Sequence, residues 1–277
     1  MGLLDGKVAL ITGAARGQGR SHAVRMAEEG ADIIAVDLCA QVPTVPYAMA
    51  TDDDLAETTR LVEALDRRIV ASVADVRDSA ALRAAVDAGV AELGHLDIVV
   101  ANAGIFSTAK VSDMTEDMWD DMIAINLSGV WRTVRAALPH LRANSGASIV
   151  LTSSTAGASG SANVAHYVAA KHGVVGLMKS LANELAPQMI RVNTVQPTTV
   201  DTPMVQNQVM YDLFRPDLAA GSAKQEDAAD AFLTLNALPV PWVEPADISN
   251  AIIWLCSDYA RYVTGIQLPV DAGSLNK

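Results

Sequence analysis

Lys7-Val-Ala-Leu-Ile11 runs straight into Thr12-Gly13-Ala14-Ala15-Arg16-Gly17-Gln18-Gly19, and a helical pattern continues to about Glu29. An apolar β-type run, a glycine turn and a helix in that order make a dinucleotide site. Gly13 permits the tight turn, Gly17 lets backbone approach a pyrophosphate, and Gly19 lets the helix pack closely on the sheet. The helix N-terminus then faces the phosphates with unpaired N–H groups and the positive end of its dipole. A second apolar run, Asp32-Ile-Ile-Ala-Val36, ends at Asp37. A carboxylate there accepts both ribose hydroxyls of an adenosine and repels a 2′-phosphate. Arg16 pulls modestly the other way, since a guanidinium suits that phosphate. Asp37 weighs more, because a nearby unpaired carboxylate makes phosphate binding costly. NAD is therefore favoured over NADP.

Working outward, apolar strand runs recur at Ile69–Ala74, Asp97–Ala101, Ser148–Thr152, Arg191–Gln196 and Gly265–Val270, with helical patterns near 52–67, 79–93, 115–142, 165–186 and 246–257. Uninterrupted apolar strands mean burial on both faces, hence an α/β domain with a parallel sheet between helices and right-handed crossovers. Ligands belong at the carboxyl ends of such strands, at the topological switch point. Asn102-Ala103-Gly104 follows one strand there, and its small residues let the chain pass close to a cofactor.

Two stretches break the rhythm. Leu38 to about Thr51 holds Pro43, Pro46 and Tyr47, and the span from Asp37 to Asp75 exceeds the ~10–12 residues of a bare crossover. Its position beside Asp37 marks it either as a solvent loop or as a flap over the adenosine half, stiffened by its prolines. Pro197 to Pro245 is rich in proline and in large apolar residues, among them Met204, Val209, Met210, Tyr211, Leu213, Phe214, Leu218 and Trp242. A segment that long reads as a lid, about 198–245. Packing and an apolar substrate explain its composition equally well.

Tyr167-Val-Ala-Ala-Lys171 carries the chemistry. Residues i and i+4 share a helix face, so an ammonium can lie beside the phenol. A neighbouring cation stabilises phenolate and makes tyrosine a usable general acid/base. Ser154, just past the strand Ser148–Thr152, offers a hydroxyl for the same substrate oxygen. The helix near 165–186 is apolar around much of its circumference, which predicts cover by a partner subunit.

At 277 residues and 51% hydrophobic content the chain suits one α/β domain with a substantial core. Its 32 acidic against 20 basic residues, net charge −12, argue against a polyanion ligand, and the 4% aromatic content against a base-stacking surface. No apolar stretch approaches the ~18 residues of a membrane span, and Met1 to Lys7 lacks a signal-peptide core. Cys39 and Cys256 are too few for a disulfide framework and fit reduced cytoplasmic thiols. His166 and His172 point to different helix faces, so no metal site is expected. No Gly-x-Ser-x-Gly elbow occurs, which removes a serine hydrolase.

The glycine turn, Asp37, Asn-Ala-Gly, Ser154, Tyr-x-x-x-Lys and Pro197-Thr198-Thr199-Val200-Asp201-Thr202 occur in one order in which the chain resembles the short-chain dehydrogenase/reductase family over nearly its whole length. The resemblance implies a single Rossmann-type domain with a doubly wound, seven-stranded parallel sheet. It further implies a homotetramer and activity on alcohols or ketones. Its four catalytic positions fall on Asn126, Ser154, Tyr167 and Lys171, the asparagine holding a water in a proton relay to the lysine. Cofactor contacts are implied at Gly13, Arg16, Gly17, Gln18, Gly19, Asp37, Leu38, Asp75, Val76, Asn102, Ala103, Gly104, Tyr167, Lys171, Pro197, Thr199, Val200 and Thr202. Two positions depart from the family pattern: Ala101 replaces a common asparagine, and Thr198 replaces a common glycine. Thr198, the insertion after Asp37 and the ending Tyr262-Val-Thr-Gly-Ile-Gln-Leu-Pro-Val-Asp-Ala-Gly273 are similar to an actinobacterial, carveol-dehydrogenase-like subgroup. In it the insertion buries NAD, and mycofactocin, a peptide-derived redox carrier, takes the electrons. The expected activity is thus an NAD-dependent alcohol dehydrogenase on a secondary, terpenoid-like alcohol. Its rivals are a ketone reductase using free NAD(P)H, and a silent NAD sensor that would have no need of Ser154 and Tyr167 together.

Overall fold

The computed structural model describes residues 2–141 and 146–277. Seven parallel strands form one sheet: β1 (Val8–Thr12), β2 (Asp32–Asp37), β3 (Ile69–Val73), β4 (Ile98–Ala101), β5 (Ser148–Thr152), β6 (Arg191–Pro197) and β7 (Gln267–Val270). Their order is β3-β2-β1-β4-β5-β6-β7. Chain direction along the sheet reverses between β1 and β4, and the crevice at their carboxyl ends is the switch point. Alternate side chains of β1 enter opposite cores. Val8 and Leu10 pack with Ile34, Val99 and Ile149, whereas Ala9 and Ile11 pack with Ile33, Ile98 and Val150. That two-residue period with burial on both sides is why the central strands carry no polar face.

The α-helices among the described residues are α1 (Gly17–Glu28), α2 (Asp52–Glu63), α3 (Ser79–Leu93), α4 (Glu116–Ile123), α5 (Val130–Leu141), α6 (Ala165–Leu185), α7 (Gln208–Phe214), α8 (Gln225–Leu233) and α9 (Pro245–Cys256). Local chemistry sets several ends. Thr51 and Asp54 form a reciprocal capping box that starts α2. The Asp78 carboxylate accepts from the N–H groups of Ala80 and Ala81, and Gly94 at φ 97 closes α3. The strand expected from Gly265 starts only at Gln267, because Gly265 at φ +75 lies outside the extended region. The helix expected to reach residue 67 stops at Glu63, with Asp66 at φ 56 turning the chain into β3.

The single helix expected over 115–142 is two α-helices joined by a π-helical turn, Ala124–Gly129, that carries Asn126. Residue 142 lies outside the described residues. A Cβ on Gly129 would come within 2.7 Å of the Val76 side chain, so a larger residue would push this turn off its neighbour. The 197–245 stretch contains α7 and α8, which its prolines had divided into segments too short to show a helical period.

Of the apolar residues around α6, Val174, Val175, Met178 and Leu185 are buried within the chain. Val168, Leu177 and Leu181 are partly exposed and Ala169 is exposed. Trp119 on α4 and Trp131 on α5 are each 42% exposed. Among the described residues no helix is long and apolar enough to cross a membrane.

Candidate active site

The carboxyl ends of β1, β2, β4, β5 and β6 open into a cavity of about 440 Å³, lined by every residue expected to take part in catalysis or cofactor binding. Its floor is backbone. Gly13 sits at φ +69, and a Cβ there would lie 2.8 Å from Cα of Ala103; a Cβ on Gly19 would lie 1.9 Å from the Gly13 carbonyl oxygen. Gly17, at φ +55, lines the cavity beside Thr202. Helix α1 starts there without a side-chain cap and without an acidic residue in its first turn. Its leading N–H groups are left for an anion.

Asp37 closes β2. Its carboxylate accepts the Ala15 N–H at 2.9 Å on one oxygen and the Cys39 N–H at 3.2 Å on the other. Each oxygen keeps a lone pair for a ribose hydroxyl. Arg16, weighed as a phosphate ligand, instead donates to the carbonyl of Ala48 in the insertion. Thr12 holds the opposite wall: its hydroxyl accepts the N–H groups of Asn102 and Ala103, both at 3.2 Å. Asp75 is paired with Arg77, which also reaches Asp121 at 2.8 Å. Gln18 brings into the same wall a buried side-chain oxygen that has no partner among the described residues. A glycine cradle, an uncapped helix start and a carboxylate with free lone pairs fit a dinucleotide.

The end of the cavity that holds Ser154, Tyr167 and Lys171 is made of side chains. Ser154 follows β5, and its hydroxyl accepts from the Ala156 N–H at 3.2 Å. Tyr167 lies in the first turn of α6. One turn on, the buried Lys171 donates from Nζ to the Thr152 carbonyl at 2.8 Å and stands 5.5 Å from the centroid of the Tyr167 ring. Burial brings the Lys171 ammonium down to about 8. Burial also raises the Tyr167 phenol above its ordinary value, against a smaller opposing pull from the Ser154 hydroxyl. The expected lowering by Lys171 is thus not achieved by the chain's own groups, because desolvation of the phenol dominates.

Asn126 is fully buried, and both ends of its amide are engaged. Oδ1 accepts the Ile105 N–H at 2.8 Å and Nδ2 donates to the Ile105 carbonyl at 2.9 Å. It clamps the loop after β4.

The insertion is folded, not draped. The Gln41 amide donates to the carbonyls of Val45 at 3.0 Å and Tyr47 at 3.2 Å and accepts the Met49 N–H at 3.1 Å. Thr44 donates to Asp121 at 2.7 Å. Val42 and Val45 are buried among Val76, Ile105, Met122 and Ile125. The segment does not stay over the adenosine half: it carries Tyr47 to the Phe106 N–H, 3.2 Å from the phenol oxygen. Burial pushes that phenol up to about 12.

The lid divides into two sets that composition alone did not separate. Met204, Met210, Leu213 and Phe214 line the cavity. Phe232 and Trp242 support them from behind, with Phe232 stacked on Phe214 at 4.1 Å between centroids. Thr198 donates to the Asn236 side chain at 3.0 Å and so ties β6 to the lid. Phe106, Val205, Leu235 and Ser274 also line the cavity and were not singled out in the sequence. Phe106 had a signal, an aromatic two places after Gly104 in a chain poor in aromatics. Leu235 and Ser274 had none.

Residues 7–211 match the family model for short chain dehydrogenase. Over 279 residues the chain is 54% identical to (-)-trans-carveol dehydrogenase of Rhodococcus erythropolis, covering 100% of both chains. The crystal structure of carveol dehydrogenase from Mycobacterium avium in complex with NAD superposes with a TM-score of 0.98 at 56% identity, over 100% of each chain. A short chain dehydrogenase from Mycobacterium paratuberculosis bound to NAD gives 0.90 at 47% identity, again over 100% of each. Fold, site order and these likenesses agree, and the chain belongs to the short-chain dehydrogenase/reductase family.

Proposed function

We propose that this chain oxidises a small apolar secondary alcohol, of the cyclic terpenoid kind, to its ketone with NAD. The observation that carries the reading is the meeting of Ser154, Tyr167 and Lys171 where the glycine cradle gives way to the apolar lid. NAD, when bound, supplies the hydride acceptor and a positive ring charge beside the phenol. Tyr167 takes the proton of the substrate hydroxyl, and Ser154 hydrogen-bonds the same oxygen. Lys171, held by the Thr152 carbonyl, aims its ammonium at the phenol side of the site. Asn126 positions the loop at Ile105. Each amide end, bonded once to Ile105, keeps one more position, and these together with the backbone carbonyl are what Asn126 offers to a relay water. Phe106, Met204, Met210 and Phe214 offer an apolar wall that rewards a hydrocarbon skeleton.

The cofactor is held tightly, and an external carrier such as mycofactocin reoxidises it in place. Supporting this, the insertion is anchored to Arg16, to Asp121 and to Phe106. The enzyme works as a homotetramer, a reading consistent with exposed Trp119 and Trp131. The test is a panel of trans-carveol, steroid and simple secondary alcohols, assayed with free NAD and with an artificial electron acceptor. NAD in the denatured protein is measured in parallel. The reading expects bound NAD and turnover of carveol that depends on the acceptor. Protein that purifies empty and turns over rapidly with free NAD alone would remove the tight-cofactor part.

A further inference from the structure

The insertion begins at Asp37 and, before it returns to α2 at Thr51, carries Tyr47 toward Phe106 and Tyr167. Its Tyr47 belongs to the same apolar cluster as Val76, Ile105 and the ring of Tyr167. The Tyr47 oxygen accepts the Phe106 N–H at 3.2 Å. The Phe106 ring in turn meets the Tyr167 ring edge-on, with centroids 5.0 Å apart and planes at 82°. Hydroxyl, backbone and ring form one chain from the insertion to the phenol. Phe106 lies in the irregular stretch between β4 and α4, where no helix or ladder bond fixes its N–H. Its neighbour Ile105 is clamped by Asn126, so Tyr47 supplies the second of two adjacent holds on this loop.

We propose that Tyr47 is a positioning residue for the reaction: its hydroxyl fixes Phe106, Phe106 fixes the Tyr167 ring, and the insertion thereby tunes hydride transfer as well as covering the cofactor. The inference rests on Tyr167 being the acid/base of the function above. Small displacements of an acid/base from its working position are costly in rate, since the gain from orientation is steep in distance. Removing the hydroxyl leaves a part-buried N–H without its partner and frees the Phe106 ring to move.

Single-turnover rates of the holoenzyme with trans-carveol test it. Tyr47→Phe should slow the step about threefold to tenfold, the span one net hydrogen bond commands, with kcat falling more than KM rises. In a Phe106→Ala background the same substitution should have little further effect, because the link is already cut. Thr59→Val, which removes a hydroxyl bond to the Leu55 carbonyl on α2 away from the cavity, should leave the rate unchanged. A Tyr47→Phe rate equal to wild type would overturn the proposal. So would an equal loss in the Phe106→Ala background, or the same loss from Thr59→Val. Protein labelled with ¹³C at the tyrosine ring carbons gives a readout that needs no substrate. The Tyr167 signal, assigned by its loss in Tyr167→Phe, should shift in Tyr47→Phe and stay put once Phe106 is alanine. A Tyr167 signal indifferent to Tyr47 refutes the link even if carveol is not a substrate. Full activity of Tyr167→Phe would instead strike at the parent function.

Discussion

The two ends of the cavity are built from different materials. The cofactor end is backbone: Gly13 and Gly17 at positive φ, Gly19 pressed on the Gly13 carbonyl, and an uncapped helix start. The end that holds Ser154, Tyr167 and Lys171 is side chains delivered by β5, α6, the loop after β4, the insertion and the lid. Backbone sites are local in sequence and fail sterically when a Cβ is added. Side-chain sites are assembled across the chain and fail chemically, one group at a time.

The largest expected effect lies at the side-chain end. Tyr167→Phe removes only a hydroxyl and should lower kcat by ~10²–10⁴ while bound NAD is retained. A variant keeping more than about a tenth of wild-type kcat would mean that another group moves the proton. At the backbone end, Gly19→Ala would set a Cβ 1.9 Å from the Gly13 oxygen, so the turn must shift. The expected result is a fold weakened by about 1–3 kcal/mol and a marked loss of NAD, read from the melting curve and the cofactor content. Retention of both would show that the cradle tolerates a methyl group and is looser than its geometry.

Asp37→Ala sharpens the contrast, because Asp37 is a side chain working at the backbone end. It should narrow the preference for NAD over NADP by relieving phosphate repulsion. Its cost includes the support given to the Ala15 and Cys39 N–H groups. Calorimetry on the wild type showing equal affinity for the two cofactors would discard the role of Asp37.

A smaller effect concerns acid stability. Buried His22, bonded through Nδ1 to Ser249 at 2.8 Å, has its proton affinity lowered to about 3 by desolvation. Its folded value lies below the unfolded 6.5, so between these limits the unfolded chain binds the proton and the folded one does not. Stability from this source is present above pH 6.5 and is lost as pH falls toward 3. His22→Gln should flatten that part of the denaturation profile; an unchanged acid limb would assign the loss to other groups.

The same division explains what could be read in advance. The strand–glycine–helix signal, Asp37 and the Tyr167–Lys171 spacing are short-range patterns, and the structure brings them to one cavity. Ser148–Thr152 and 79–93 were legible to the residue because their ends carry local signals, a buried strand and an Asp78 cap. Contacts that close over distance were not legible. Nothing in Tyr47 announces Phe106 as its partner, and nothing in Asn126 announces that Ile105 engages its amide. The lid helices were hidden by prolines, and the split between cavity-facing Met210 and supporting Phe232 appears only in three dimensions. The Tyr167 phenol was expected to fall beside Lys171. Burial, a property of the whole fold, pushes it up.

Hydride transfer is tested most directly by following the hydrogen itself. Holoenzyme is mixed for one turnover with trans-carveol deuterated at the alcohol carbon, and the reduced cofactor is recovered and analysed. The deuterium is expected on the nicotinamide, with the step slowed by a primary isotope effect and suppressed in Tyr167→Phe. Oxidation with the deuterium lost to water, or proceeding unimpaired in Tyr167→Phe, would contradict direct transfer at this site.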